Sequence, residues 1–376
     1  MRVATAKPPG AGSLITSGAT TETKNLYKRI LGLCGSPYWM PGVHERYDDL
    51  VLYPVPPTGR KPIQEFFNIT GRYPAWCHYE WQAPSQATGS DGVTGATFYA
   101  RMRADMIAAY QMGIAIGMHD LTGAPNFGTM STRADSGAKN YVATDYIATV
   151  LTGQSNEAVL LAWLDELAAH FNTLIDPISG VKIPVLFRLF PEPNSRTFWY
   201  SGETRYANFV SMYQKSVAYL RDVKGVTNVI YVWCLNADQS SGNPYSGNGS
   251  YPYANWYPGD SYVDCISFDY YNDGAYSPSS RYNSSGTPVQ ASVTAFAALA
   301  APAGKPMHFA EIGYKEMAGP STIVWEQTGQ EMSSLHRYCW GAGFWRPPFG
   351  PALGQASNAS LAAMAASPYC LTLDKL

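Results

Sequence analysis

The chain has 376 residues, 14% of them charged and 14% aromatic, with 26 Lys and Arg against 28 Asp and Glu for a formal charge of −2. A nucleic-acid binder needs a basic excess to displace counterions, which this balance excludes, and no apolar stretch approaches the ~18 residues of a bilayer span. With 34 Gly and 27 Pro, loops are abundant, and the composition fits an ordered, soluble chain whose partner is uncharged.

Residues 1–25, rich in Ala, Gly, Ser and Thr, read as an extended arm, followed by one folded unit over 26–376. The first thirty residues lack the apolar block of a signal peptide. Extracellular action would then belong to a mature or recombinant chain, or to a virion-associated protein whose arm joins a larger assembly. From here short apolar runs alternate with amphipathic stretches, as repeated βα units require. The first run is 29–34 (RILGLC) and the second 74–79 (PAWCHY), which leads into Glu80 and Trp81. The third, 112–118 (MGIAIGM), is followed by His119 and Asp120. A helix comes next, with Leu160, Trp163, Leu164, Leu167, Phe171 and Leu174 on one face. The fourth run, 184–190 (PVLFRLF), holds Arg188 and ends in Pro191-Glu192-Pro193-Asn194. Phe209, Tyr213, Val217 and Leu220 mark a further helix before the fifth run, 228–235 (NVIYVWCL). A long loop then carries Tyr245, Tyr251, Tyr253, Trp256 and Tyr257 among Asn, Ser and Gly. The sixth run, 263–269 (VDCISFD), leads into Tyr270 and Tyr271; the seventh, 306–311 (PMHFAE), ends at Glu311; the eighth, 341–345 (GAGFW), ends at Trp345.

Eight such runs favour a closed (β/α)8 TIM barrel, an α/β fold, over an open doubly wound sheet, whose Gly-rich phosphate loop is absent. Cys34, Cys77, Cys234, Cys265, Cys339 and Cys370 are too few for a disulfide framework and lack zinc spacing. The first four sit in apolar runs and read as buried thiols, while a Cys339–Cys370 bridge stays open.

A barrel of this kind does its chemistry at the C-terminal ends of its strands. There Glu192 and Glu311 stand without a basic neighbour in sequence, after the fourth and seventh runs and across the mouth from each other. Glycosidic hydrolysis needs one carboxylic acid to protonate the leaving oxygen and one carboxylate to attack the anomeric carbon. Aromatic rings among amides and hydroxyls suit the apolar C–H faces of sugars.

On these residues the chain resembles glycoside hydrolase family 26, the β-mannanase family, most specifically over AVLLAWLDELAAHFNTLIDPISGVKIPVLFRLFPEPNSRTFWYSGE and again in VTNVIYVWCLNAD, YPGDSYVDCISFDYYN and GKPMHFAEIG. The resemblance implies that Glu192 is the acid/base, Glu311 the nucleophile, Arg188 the family's strand-end arginine, Tyr271 the tyrosine approaching the nucleophile, and His119 (in GMHDLTGAP) a histidine holding the sugar. With the strand-end and loop residues added, the expected substrate-binding set is Glu80, His119, Arg188, Trp199, Trp256, Tyr271 and Trp345. Two positions depart from the family: Pro191 replaces the histidine before the acid/base, and Thr197 stands where mannanases place the first tryptophan of the aromatic run. The expected activity is a retaining, endo-acting hydrolysis of a β-linked polysaccharide, with no cofactor, no metal, no nucleic acid and no membrane insertion. Pro191 and Thr197 keep a second reading open, a carbohydrate-binding or structural barrel without catalysis. A third, a metal-dependent hydrolase using His78, His119 and His308, is weighed against the commoner use of strand-end histidines as hydrogen-bonded structural residues.

Overall fold

The computed structural model describes residues 13–45, 61–81, 95–120, 145–195, 198–202, 205–236, 253–272, 298, 300, 304–314, 339–344 and 358–376. Eight parallel strands close into a barrel in sequence order. They are β1 (Met40–Glu45), β2 (Trp76–Trp81), β3 (Ala115–Asp120), β4 (Val185–Arg188), β5 (Val229–Asn236), β6 (Cys265–Asn272), β7 (Met307–Tyr314) and β8 (Cys339–Phe344). Because β1 pairs with both β2 and β8, the sheet has no free edge. The described helices are α1 (Thr21–Leu33), α2 (Lys61–Thr70), α3 (Gly95–Gln111), α4 (Ile147–Val150), α5 (Glu157–Thr173), α6 (Tyr206–Ala218) and α7 (Asn358–Ala366). The predicted stripes on α5 and α6 are their buried faces, packed on the outward side chains of the barrel such as Ile116, Val185 and Phe187.

The apolar runs from 74–79 onward each overlap a strand, but the first does not. Residues 29–34 form the end of α1 and the residue after it. Leu26, Tyr27, Ile30 and Leu33 recur at helical spacing, and Thr20 caps the helix by accepting from the Thr23 N–H at 3.2 Å. Their buried face closes the N-terminal end of the barrel against Met40, Trp76, Ile230, Cys265 and Trp340. The true first strand, MPGVHE, is apolar-poor for a packing reason. Trp76 fills the barrel interior so closely that a Cβ on Gly42 would lie 2.1 Å from its Cε2 atom, so only glycine fits there.

The helix also shortens the expected arm, since residues 21–25 belong to α1. Residues 13–20 lie against the barrel, where the Ile15 N–H donates to Asp264 Oδ1 at 2.7 Å. Asp264 Oδ2 accepts from the Tyr231 N–H at 2.9 Å. Burial raises the Asp264 carboxyl to about 6, against the pull of those two donors. An Asp264→Ala chain would leave both N–H groups without their acceptor. The expected cost is about 2–4 kcal/mol, measured as a lower urea midpoint at unchanged m-value.

All six cysteines are buried and outside any disulfide, so Cys339 and Cys370 are not bridged. The C-terminal segment is held instead by backbone bonds, Trp39 N to Tyr369 O at 3.0 Å and Leu371 N to Trp39 O at 2.8 Å.

Candidate active site

Along the strands, side chains alternate between the helix layer and the barrel interior, so Trp76, His78 and Glu80 point inward in succession, as do Leu186 and Arg188, and Cys265, Ser267 and Asp269. The interior is apolar at the α1 end, where Trp76, Leu186 and Cys265 sit, and polar at the C-terminal end, where His78, Arg188 and Asp269 are all buried. Arg188 is the hub of that polar layer. Its Nη1 donates to both Asp269 oxygens at 2.8 and 2.9 Å, and its Nη2 donates to Glu311 Oε1 at 2.5 Å. Its Nε donates to His78 Nε2 at 3.2 Å, and Nη2 lies 3.3 Å from His119 Nδ1. A guanidinium only donates, so both histidine nitrogens act as acceptors. Burial, with the Arg188 charge behind it, holds His78 well below the usual histidine range. His44, lowered by burial to about 4, stacks on His78 at 4.7 Å, and His78 on His119 at 4.9 Å.

The nucleophile candidate is aimed by an irregularity in β7. Phe268 pairs with Phe309 but the next residue, Asp269, pairs with Glu311, leaving Ala310 as the extra residue of a bulge. The bulge turns Glu311 inward beside Asp269, a re-aiming that bulges next to active sites commonly perform. The Ala310 carbonyl accepts from His44 Nε2 at 2.7 Å.

The other carboxyl sits on a strained loop. Phe190 and Glu192 adopt φ values of 48° and 55° on either side of Pro191, a left-handed conformation costing ~1 kcal/mol or more for each non-glycine residue. Contacts with β5 hold it there. Glu192 N donates to Cys234 O at 3.0 Å. Asn194 Nδ2 donates to Asn236 O at 2.7 Å while its Oδ1 accepts from Asn236 N at 2.8 Å. The Asn236 side chain in turn donates to Glu192 Oε1 at 3.1 Å. Pro191 has no N–H to donate, and its carbonyl accepts from Tyr200 Oη at 2.9 Å.

Glu192, Asp269 and Glu311 each bring a carboxylate oxygen within 4.8 Å of the others. Burial, then the negative charge of Glu311, pushes Glu192 up to about 7; Asn236, Arg188 and Asp269 oppose the shift. Burial likewise raises Asp269 well above the ordinary range, with Arg188 opposing. The cluster thus presents one carboxyl that keeps its proton near neutral pH beside another paired to a permanent cation, which is the division an acid and a nucleophile require. A cation could be held by Glu192, Asp269 and Glu311, or by His44, His119 and Glu311. The Arg188 guanidinium already supplies positive charge to both Asp269 and Glu311. His308, grouped in the sequence with His78 and His119, instead faces Cys265 Sγ at 3.4 Å.

The expected site residues divide into three groups. Glu192, Glu311, Arg188 and His119 meet in one cluster, and Glu80 is buried opposite His119 in the β2–β3 register. Trp199 and Trp256 are corrections. Both have no exposed surface, so neither presents a face to a sugar. Trp199 packs edge-on to Tyr200 and Trp256 to Tyr206, and they pin their loops to the barrel. Trp345, Thr197, Tyr245, Tyr251 and the side chain of Tyr271 lie outside the described residues. Asp269, His44 and the pair Asn194 and Asn236 enter the site through contacts between strands far apart in sequence. Asp269 did carry a signal, as the third inward position of an alternating Cys265, Ser267, Asp269 series ending at the barrel mouth.

Comparison with known proteins agrees with the barrel fold. The model of glycosyl hydrolase family 26 matches residues 15–316. A mannan endo-1,4-beta-mannosidase of Bifidobacterium adolescentis is 35% identical over 94 residues, 25% of this chain and 9% of that protein. One from Bacillus subtilis is 27% identical over 110 residues, covering 27% of each chain. The matches therefore span under a third of either relative. Among solved structures, the catalytic domain of an endo-beta-1,4-mannanase from Bacillus sp. JAMB-750 superposes with a TM-score of 0.77 at 24% identity, over 98% of this chain and 95% of that one. A Cellulomonas fimi endo-beta-1,4-mannanase double mutant gives 0.75 at 24% identity, over 98% and 79%. At such identities the superpositions establish the shared barrel.

Proposed function

Because the chain belongs to glycosyl hydrolase family 26, we propose that it is a retaining, endo-acting glycoside hydrolase that cleaves β-linked mannan or a closely related polysaccharide. The observation that carries this reading is the spacing of the two glutamates. One carboxylate oxygen of each lies within 4.8 Å of the other's, which suits the ~5–5.5 Å of a retaining pair better than the ~6.5–9.5 Å of an inverting one. The names of the matched relatives support mannan as the polymer.

In the first step Glu311 attacks the anomeric carbon while Glu192 gives its proton to the departing oxygen. In the second, Glu192 takes a proton from water, and that water displaces Glu311 from the glycosyl ester. Arg188 holds Glu311 Oε1 and so fixes which oxygen is left for attack. Polymers of this class are met outside the cell, where the enzyme would act.

The test is an incubation with mannan, xylan, mixed-linkage glucan and bacterial surface polysaccharides, scored for new reducing ends and, by NMR, for the configuration of the first product. Retained β configuration is expected on mannan. An α product would overturn the mechanism, and binding without new reducing ends would overturn catalysis. The pH profile is a further expected outcome. Glu192 works as an acid only while protonated, and its carboxyl is raised to about 7. The kcat/KM should therefore hold up to neutral pH and then fall, approaching about tenfold per pH unit above that value.

A further inference from the structure

We propose that Asn194 is a positioning residue for the acid/base, acting through Asn236 on the strained loop that carries Glu192; this rests on the assignment of Glu192 made above. The side chain of Asn194 has no exposed surface, and both ends of its amide are used on one backbone residue. It donates to Asn236 O at 2.7 Å and accepts from Asn236 N at 2.8 Å. A side-chain amide here takes the place of a peptide group in a ladder and continues the β4–β5 pairing beyond Arg188, the last paired residue of β4. The loop needs such a substitute because the backbone has left the extended conformation, with φ positive at both Phe190 and Glu192.

Fixing the Asn236 backbone fixes the direction of its own side chain, whose Nδ2 donates to Glu192 Oε1 at 3.1 Å. The ring of contacts is completed by Glu192 N to Cys234 O at 3.0 Å and by Ser195, whose N–H and hydroxyl both donate to Glu192 O, at 3.1 and 2.9 Å. The acid/base is thus gripped at its backbone N–H, its carbonyl and one carboxylate oxygen. Asn194 is the member that ties the turn to β5 by side chain alone. A primary amide supplies a donor and an acceptor side by side at every pH. Ionised aspartate keeps the shape but has no donor for the Asn236 carbonyl.

A defect confined to the acid/base has a signature that general loss of structure does not. It slows cleavage of substrates whose leaving oxygen needs a proton and spares those whose leaving group departs as a stable anion. The experiment compares kcat/KM of Asn194→Ala, Asn194→Asp and Asn236→Leu on unactivated mannooligosaccharide and on dinitrophenyl β-mannobioside, with thermal midpoints recorded for each. The expected result is a loss of about 10²-fold on the oligosaccharide, within the range of general acid catalysis, and a change of less than about threefold on the activated glycoside, where that contribution is not needed. The alkaline limb should also move to higher pH, because a donor to the ionised Glu192 has been misdirected or removed. Asn236→Leu leaves the backbone partners of Asn194 in place and should give the same pattern, so the inference stays open to refutation if Asn194→Ala does not fold. Equal losses on both substrates, or an unmoved alkaline limb, would overturn the positioning role. Glu192→Ala is the control that separates the two levels. If it shows no leaving-group dependence, the acid/base assignment fails and this inference with it; if it does while the asparagine variants do not, only this inference fails.

Discussion

A Glu311→Gln chain is expected to hydrolyse mannan on the order of 10⁴-fold more slowly than the parent, with little change in stability. Glutamine has the size of the side chain it replaces and keeps an oxygen for the Arg188 Nη2 donor that now meets Glu311 Oε1 at 2.5 Å. The β7 bulge depends on Ala310 and its bond from His44, neither of which is altered. What disappears is the carboxylate that forms the glycosyl ester, so double displacement loses its first intermediate. A second consequence can be read on the other carboxyl. Glu311 is the largest electrostatic contributor to the raised pKa of Glu192 after burial, so in the variant Glu192 should titrate at lower pH, observable by carboxyl NMR. Activity within about tenfold of the parent, where the loss of a nucleophile should cost far more, would exclude Glu311 from the reaction.

Replacing Arg188 with methionine is expected to destabilise the barrel by about 3–5 kcal/mol, because removing one partner of a buried ion pair leaves the other uncompensated. Here one guanidinium serves two buried carboxylates, Asp269 at 2.8 Å and Glu311 at 2.5 Å, and also supplies donors to His78 and His119. Methionine fills much of the volume and returns none of the charge. The deficit should shrink in acid, where the carboxyls can be neutral, so denaturant midpoints of parent and variant should converge as pH falls. Arg188→Lys should recover only part of the loss, since an ammonium on a flexible stem lacks the planar fork that reaches Asp269, Glu311 and His78 together. Midpoints for Arg188→Met that match the parent at neutral pH would remove Arg188 from its place as the counter-charge of the site.

Much of this architecture is legible in the chain itself. The runs around Trp76, Ile116, Val185, Val229, Ile266, Phe309 and Ala342 all lie on strands, because a buried parallel strand is written locally in apolar and β-branched residues. The stripe on α5 is equally local. The first strand was hidden because its inward positions are dictated by something far away in sequence. Gly42 is there to admit Trp76, and His44 is there to meet a carbonyl 266 residues later. The run RILGLC is as apolar as a strand, but the preceding Leu26 and Tyr27 set its period at that of a helix. Aromatic residues misled in another way. Trp199 and Trp256 are as compatible with a sugar platform as with a core, and only their complete burial decides for the core.

By itself the sequence determined the order of the strands from the second onward, and with it that Glu192 lies just past the fourth strand and Glu311 on the seventh. Periodicity and strand-end position are properties of neighbouring residues, so they survive in one dimension. Tertiary structure alone decided that the two carboxyls come within 4.8 Å and that burial beside Glu311 raises one of them to about 7. It also decided that Arg188 pairs with Glu311 and Asp269, and that Asn194 and Asn236 hold a loop whose backbone has positive φ at Phe190 and Glu192. These depend on distance and on exclusion of water across the barrel, and both come into being only when strands separated by a hundred residues or more are packed side by side.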